Sequence, residues 1–479
     1  MGATFYFYDL ETSGFNPREA RIMQFAGRRT DLKMKPIGDP DNIIIKLTED
    51  TLPEPDAILV TGITPQQTLQ DGVTEAEFLK YFHNEIVEPD TIFVGFNTVR
   101  FDDEFMRFLH YRNFYDPYEW EWRENRSRWD ILDVVRMTRA LRPDGITWPF
   151  DSSGKASNRL EFLTSVNKLS HSNAHDALSD VEATIAVARM IHNKQPKLFE
   201  YLLEMRKKKN VEKIVNTDKP FVYTSGKYNG DFEKTTVVGL LAKHPSLGDA
   251  AVVFDLRYDP AAFVDLSPKE LADAMKRRSD EEGPRLPVKT LKYNRCPAVA
   301  PIVVLDEKSK TRLNLKMELI EKNFKTLITN RDKLASKLNE ALEMLDKYQQ
   351  AKFIEDNLDA DSRLYEGFFN DSDRTKMSLV RATDPNELTN LDVVFNDGRL
   401  QALLPLYKAR NFPKSLNDND LKLWEQFKER RLMGGGADSK AVRYFKRLDE
   451  LLFGSSLTAK NQYLIEELKL YGESILPLY

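Results

Sequence analysis

The chain has 479 residues, of which 41% are hydrophobic and 30% are charged, an ordinary composition for a globular protein. This length exceeds what one hydrophobic core supports, so two or three domains are expected. The net charge of −5 argues against a protein that coats nucleic acid through an overall basic surface. Any contact with nucleic acid would have to lie in a local groove.

The first region, residues 1–195, has the pattern of an α/β domain. The segment Thr4–Tyr8 is a nearly continuous apolar and aromatic run, which is typical of a strand buried on both faces. Glycine and proline punctuation separates three further predicted strands: Ile22–Ala26, Ile43–Leu47 and Thr91–Phe96. Helices are predicted over Asp102–Tyr111 and Asp176–Ile191, and the second has apolar residues at helical spacing.

The pattern of apolar and charged residues changes after Pro196, and a second domain is expected over residues 196–350. The basic run Arg206–Lys209 ends a helical stretch and indicates a linker or boundary. Short apolar runs predict a small all-β unit whose strands are Phe221–Thr224, Thr236–Leu241, Ala251–Leu256 and Val299–Val304. Helical spacing follows from Lys316 to Leu345. The third region, 351–479, is predicted to be a helical domain with a mostly helical end over Ser378–Tyr479.

Asp9 and Glu11 lie two residues apart on the first predicted strand, so their side chains leave the same face. Two carboxylates held this close repel each other unless a cation lies between them. Mg²⁺ or Mn²⁺ would provide that charge, because both ions accept oxygen ligands. Taken alone, the Asp-x-Glu pattern is more often the solvated end of a strand.

Asp102 follows the predicted strand Thr91–Phe96 through a short loop, at the strand end where α/β sheets form their sites. The alternative role for Asp102 is a helix N-cap. His175 and Asp180 lie at the start of the next predicted helix. Within one helix they would diverge by roughly 140°, so they converge only if His175 lies on the entry loop.

The combined set holds four carboxylates and one imidazole. It suits two divalent cations, with His175 as a base that takes a proton from water and Asp180 as a metal ligand. The alternative role for His175 is a surface or capping histidine. Because two-metal sites of this kind hydrolyse phosphodiesters, the set predicts a nuclease.

Three motifs resemble those of the DEDD exonuclease superfamily, histidine subtype. They are Asp9-x-Glu11-Thr12, Asn97-x-x-x-Phe101-Asp102 and His175-x-Ala177-x-x-Asp180. Further stretches along nearly the whole chain resemble bacterial exonuclease I: Tyr111–Tyr118, Ser127–Asp130, His171–Asp176, Tyr365–Phe369 and Ala409–Pro413.

This resemblance implies a ribonuclease H-like mixed sheet with flanking helices over 1–195. It also implies a small Src-homology-3-like barrel with helices over 196–350, and a helical C-terminal domain over 351–479. The implied activity is Mg²⁺-dependent, processive 3′→5′ degradation of single-stranded DNA to 5′-mononucleotides, in DNA repair and recombination. The implied metal ligands for two Mg²⁺ ions, with Mn²⁺ expected to substitute, are Asp9, Glu11, Asp102 and Asp180, and the implied base is His175.

Aromatic and arginine residues are dense over Phe114–Trp129, where a single strand could stack its bases and bind its phosphates. The alternative is a packed aromatic cluster. Arg159 resembles the family's substrate-contacting arginine, and Glu11 with the backbone near Thr12 could recognise a terminal 3′-hydroxyl. The remaining candidate contacts are Tyr118, Trp122, Arg107, Arg128 and Arg136.

Two other functions stay open at this point. An RNA-trimming exonuclease would use the same carboxylates, and no residue pattern that reads a 2′-hydroxyl can be identified. A binding protein with a vestigial nuclease site is less favoured, because all five catalytic residue types are present.

The resemblance further implies that the C-terminal tail of single-strand DNA-binding protein docks on the chain, with Arg142 as one possible contributor. The single cysteine, Cys296, excludes an intramolecular disulfide and fits a reducing compartment, so a cytoplasmic location is expected. No apolar run is long enough to cross a membrane, and a monomer is expected.

Overall fold

The computed structural model describes residues 2–171, 175–278, 281–355, 359–454 and 457–476. Its first sheet has five strands in the order β3-β2-β1-β4-β5. These strands are β1 (Thr4–Thr12), β2 (Ile22–Thr30), β3 (Asp41–Ile44), β4 (Thr91–Gly95) and β5 (Ser127–Asp130). Strand β1 is antiparallel to β2 and parallel to β4, so the predicted mixed sheet is confirmed.

Helices cover both faces of this sheet. They are α1 (Pro55–Thr61), α2 (Pro65–Asp71), α3 (Glu75–Tyr81), α4 (Asp102–Arg112), α5 (Glu119–Trp122), α6 (Ile131–Leu141), α7 (Leu160–Val166) and α8 (Ala177–Lys194). On β1, Phe5 and Phe7 join the core that contains α8, while Tyr6 and Tyr8 join the core under α3 and α4. The aromatic run of β1 is therefore buried on both faces, as its sequence predicts.

Helices α9 (Pro196–Glu204) and α10 (Lys208–Val215) lead into a second, antiparallel sheet in the order β10-β6-β7-β8-β9. Its strands are β6 (Phe221–Thr224), β7 (Thr235–Lys243), β8 (Ala250–Asp255), β9 (Val288–Lys292) and β10 (Ala298–Pro301). The predicted all-β unit is confirmed. The last strand is shorter than expected, because it ends at Pro301 and a 3₁₀ turn, Ile302–Val304, follows.

Four helices complete the central region: α11 (Ala261–Val264), α12 (Pro268–Lys276), α13 (Glu307–Arg312) and α14 (Met317–Glu355). Helix α14 extends beyond the predicted end at Leu345 and packs across β7. Gly239 of β7 permits this approach, since a Cβ atom there would lie 2.7 Å from a methyl carbon of Leu327.

The C-terminal region is helical, as predicted: α15 (Asp371–Ala382), α16 (Gly398–Asn411), α17 (Asp418–Met433), α18 (Lys440–Phe453) and α19 (Ala459–Ile475). Phe108, Tyr111 and Phe114 of the first domain share one hydrophobic core with α15, α16 and α17. Ile58 of α1 shares another with α18 and α19. The C-terminal helices are thus packed onto the first domain. No helix in the described part of the chain is both long and apolar enough to span a lipid bilayer.

A buried ionic cluster joins the same two regions. Arg410 of α16 donates to Asp50 and to Asp361 at 2.7 Å each, and Arg21 donates to Asp361 at 2.8 Å. Arg431 of α17 adds a further bond to Asp361 at 3.1 Å. Burial alone would raise the pKa of Asp50 and Asp361, but the surrounding guanidinium groups outweigh it and hold both below their ordinary values.

Replacing Asp361 with asparagine should lower the free energy of unfolding by about 3–5 kcal/mol, because several buried arginines lose their shared counter-charge. Urea titration at neutral pH measures this difference. Asp265→Asn is the matched control, since Asp265 is exposed and pairs with the exposed Lys333, and it should change stability by less than about 0.5 kcal/mol. Equal effects of the two substitutions would contradict a structural role for the cluster.

Candidate active site

The carboxyl end of β1 brings the first two acidic residues into one cleft. Asp9 and Glu11 project from the same face of β1, and Asp180 of α8 approaches them so that ligand oxygens of all three lie within 4.8 Å of one another. Asp102 is the first residue of α4, just beyond β4, which runs parallel to β1. It is buried and lines the same cleft.

The start of α8 meets the condition for convergence of His175 and Asp180. The side chain of Asp176 caps the helix by accepting a hydrogen bond from the Ser179 amide, so His175 lies outside the helix and Asp180 in its first turn. His175 adopts a left-handed backbone conformation with φ of 66°, and its amide donates to Asp180 Oδ2 at 3.2 Å. The residue is exposed and lines the cleft.

The carboxyl groups of this site repel one another. Burial raises the pKa of Asp9, Asp102 and Asp180 above the ordinary value, and neighbouring carboxylates raise the first two further. For Glu11, burial followed by repulsion from Asp180 and Asp102 raises the pKa to about 9. Without compensating positive charge, Glu11 therefore resists ionisation at neutral pH.

The donor set fits a divalent cation. Among the residues that the structure describes, Asp9, Glu11 and Asp180 form the one group of three or more candidate ligands that converges. All the donors are carboxylate oxygens, which suit Mg²⁺ and Mn²⁺. A divalent cation would also reverse the repulsion that raises these pKa values.

The surrounding cleft has a volume of about 1140 Å³ and contains cationic and aromatic side chains. Arg159, just before α7, lines it with a side chain that is 72% exposed. Arg136 also lines it and pairs with Asp133 at 2.6 Å. Both predicted phosphate contacts therefore lie in the cleft.

Sequence reasoning missed three residues that line this cleft. Lys234 comes from the central domain, and only the packing of the two domains brings it here. Phe15 is 69% exposed shortly after the Asp-x-Glu motif, and an exposed aromatic in that position was a readable signal. His171 is the third; the stretch His171–Asp176 indicates the family, but it does not predict a role for His171.

Two predicted phosphate contacts need correction. Arg128 is buried and forms ion pairs with Asp103 and Glu121. Arg107 is also buried and bonds to Glu121 at 2.6 Å. The structure places both guanidinium groups in the interior, where carboxylates neutralise them, so neither offers its charge to a strand in the cleft.

The aromatic segment is largely a packed cluster. Phe114, Trp120 and Trp129 are buried in the hydrophobic cores. Trp122 is 61% exposed, and Tyr118 is half-buried under the Arg107 guanidinium. These two do not share a helix face as expected, because α5 spans only Glu119–Trp122 and Tyr118 precedes it.

Thr12 lies at an irregularity in the pairing of β1 with β2. Its hydroxyl donates to the carbonyl oxygen of Gly14 at 2.9 Å, and the residue is buried. The hydroxyl is therefore engaged within the loop that follows Glu11. The loop backbone is left as the part that could contact the 3′ end of a nucleic-acid strand.

Comparison with family models defines the class of protein first. Residues 6–188 match the model described as Exonuclease, which covers the whole carboxylate site. Residues 206–344 match the Exonuclease I SH3-like domain, and residues 358–475 match the Exonuclease I C-terminal domain.

Curated relatives then identify the family. The chain is 37% identical to exodeoxyribonuclease I of Haemophilus influenzae over 479 residues, which covers 99% of each chain. It is 40% identical to exodeoxyribonuclease I of Escherichia coli over 429 residues, which covers 88% of each. The chain belongs to the exonuclease I family.

Solved structures agree in architecture. Exonuclease I from Methylocaldum szegediense superimposes with a TM-score of 0.92 at 39% identity, covering 99% of both chains. The zinc ion bound form of the E. coli ExoI–single-stranded DNA complex gives 0.91 at 35% identity over 99% of this chain and 100% of that one. An ExoI/SSB-Ct complex gives 0.92 at 35% identity over 100% of both.

The raised pKa of Glu11 makes the stability of the metal-free protein depend on pH. The pKa of the Glu11 carboxyl is about 4.5 in the unfolded chain and about 9 in the folded protein. Its contribution to stability is therefore complete below pH 4.5 and is lost as the pH rises towards 9. In excess chelator, the melting temperature of the wild type should therefore fall over this range. Glu11→Gln should flatten the decline, and an unchanged profile in the variant would contradict the assignment.

Proposed function

We propose that the protein hydrolyses single-stranded DNA from its 3′ end and releases 5′-mononucleotides. The observation that carries this proposal is the convergence of Asp9, Glu11, Asp102, Asp180 and His175 on one cleft of an exonuclease domain. The exodeoxyribonuclease I names of its relatives support a DNA substrate, as does the single-stranded DNA bound to the E. coli protein.

The four carboxylates would hold two divalent cations, Mg²⁺ with Mn²⁺ as a substitute. When bound, the cations supply positive charge to the phosphate under attack and to the departing 3′ oxygen. Asp9 and Glu11 contribute from a rigid strand, while Asp102 and Asp180 contribute from the first turns of α4 and α8. Fixed elements of this kind keep the ligands in place without reorganisation during the reaction.

His175 is the group that would take a proton from the attacking water. Its exposure leaves the imidazole open to the cleft, and its backbone amide bonds to Asp180, so the base and a metal ligand are held together. Arg159 would bind the phosphate beside the scissile bond, and Arg136 a neighbouring one. Glu11, with the backbone at Thr12, would recognise the terminal 3′-hydroxyl.

A basic strip on the central domain, formed by Lys227, Arg285, Lys289, Lys292 and Arg295, supports a path for the rest of the DNA strand. Burial lowers the pKa of Lys289 and Lys292, and the neighbouring cations Lys227, Arg285 and Arg295 lower it further. Clustered cations of this kind favour a bound polyanion, because phosphates relieve their mutual repulsion.

Aromatic side chains from two domains would stack bases along this path. Phe368 of the C-terminal domain is 84% exposed, and its ring lies 6.1 Å from that of Tyr118. Tyr365 bonds to Glu104, two residues beyond Asp102 on α4, which ties this loop to the active-site helix. With the strand held between domains, successive cleavage without release follows naturally.

The ExoI/SSB-Ct complex supports a protein partner as well. We infer that the acidic tail of single-strand DNA-binding protein docks near Arg142, which is partly exposed and donates to the Val304 carbonyl at 2.8 Å. Val303, beside that carbonyl, is 87% exposed and offers an apolar contact. A cytoplasmic monomer that acts in DNA repair and recombination is consistent with these partners.

Asp180→Asn should lower the single-turnover cleavage rate by at least about a thousandfold, because one metal ligand loses its charge. The assay uses 5′-labelled single-stranded DNA with Mg²⁺, beside matched duplex DNA and RNA. Binding of the DNA in chelator should stay within a few-fold of the wild type.

For the wild type, a ladder of products that shortens from the 3′ end is expected on single-stranded DNA alone. RNA digestion at a comparable rate would instead favour an RNA-trimming enzyme.

Phe368→Ala should weaken binding of single-stranded DNA by about 1–3 kcal/mol, the usual contribution of one stacked base. Fluorescence anisotropy with a labelled oligonucleotide in chelator measures the difference. Phe453→Ala is the matched control, because Phe453 is 89% exposed in the same domain at the end of α18. Equal affinities for the two variants would rule out a stacking role for Phe368.

A further inference from the structure

His171 holds the carboxylate of Asp180 from the side opposite His175. Its Nε2 lies 2.6 Å from Asp180 Oδ1, while the His175 amide donates to Oδ2 at 3.2 Å. The side chain of His171 is only 5% exposed. Each carboxylate oxygen of Asp180 therefore has its own donor, and the two donors lie four residues apart in the chain.

Thr164 of α7 supports the other edge of the imidazole. Its Oγ1 lies 3.0 Å from His171 Nδ1 and equally far from the carbonyl oxygen of Leu160. The hydroxyl can donate to the ring or to the helix carbonyl. A carboxylate that ligates a cation is ionised, so the proton of its short contact with His171 resides on Nε2, since two lone pairs would repel at that distance.

The two histidines are thus suited to different tasks. Both nitrogens of His171 are engaged and its side chain is largely buried, so the ring is held in one orientation. His175 is exposed and contributes its backbone amide to the same carboxylate. A carboxylate oxygen has two lone pairs, so Asp180 Oδ1 can accept from His171 and still ligate a cation.

We propose that His171 is a positioning residue that fixes the orientation of the Asp180 carboxylate and thereby sets the affinity of the site for divalent cations. The inference rests on the proposed role of Asp180 as a metal ligand. Partners that orient a ligating carboxylate commonly change metal affinity or activity by 10–100-fold. The chain Thr164–His171–Asp180 also connects α7 to the first turn of α8, so it orders the ligand before any cation binds.

The test measures binding of Mn²⁺ to the protein without DNA, by calorimetric titration. His171→Ala should weaken binding by about 10–100-fold. His171→Gln should stay within a few-fold of the wild type, because the glutamine amide places a donor near the position of Nε2. His244→Ala, at a histidine between β7 and β8, is the control and should bind as the wild type does.

A purely structural role for His171 would lower stability without this pattern, so melting temperatures in chelator are recorded for every variant. If His171→Ala fails to fold, Thr164→Val and His171→Gln carry the test, with a smaller loss of affinity expected for the former. Wild-type affinity in His171→Ala, or equal losses in the alanine and glutamine variants, would overturn the inference alone. Absence of Mn²⁺ binding in the wild type would overturn the proposed metal site as well.

Discussion

Repulsion among closely spaced, largely buried carboxylates is the constraint on which the active site depends. Burial raises the pKa values of Asp9, Glu11, Asp102 and Asp180, and neighbouring carboxylates raise those of the first three further. Such an arrangement is unfavourable unless the scaffold is rigid and positive charge arrives from outside. The parallel pairing of β1 and β4 gives the rigidity, and a divalent cation is the charge that the donor set accepts.

The scaffold behind these carboxylates is itself built from buried polar contacts. Tyr8 of β1 donates to Asp103, whose carboxylate also receives Arg128 of β5. This pairing anchors the first turn of α4 beside the sheet and thereby fixes Asp102. Arg128 therefore contributes to the site by holding a helix in place, and its charge is neutralised in the interior by carboxylates.

The same helix gathers the other two domains around the site. Glu104 of α4 accepts hydrogen bonds from Arg295 of the central domain at 2.6 Å and from Tyr365 of the C-terminal domain. Shared hydrophobic cores and the cluster around Asp361 hold the C-terminal helices on the first domain. The cleft, the basic strip and the exposed aromatics thus belong to one connected assembly of three domains.

The sequence by itself determined the α/β character of the first region, the small all-β unit and the helical end, because hydrophobic periodicity is a local property of the chain. The mixed order of the first sheet was implied only by the resemblance to the exonuclease superfamily. It also indicated the acidic motifs, since Asp9 and Glu11 share a strand face and Asp102 follows a strand end. Which arginines face the cleft was decided only by tertiary structure: Arg159 does, whereas Arg107 and Arg128 are neutralised by carboxylates that approach through folding. The same holds for Lys234 and His171, because contacts between distant segments leave no periodic signal in the chain.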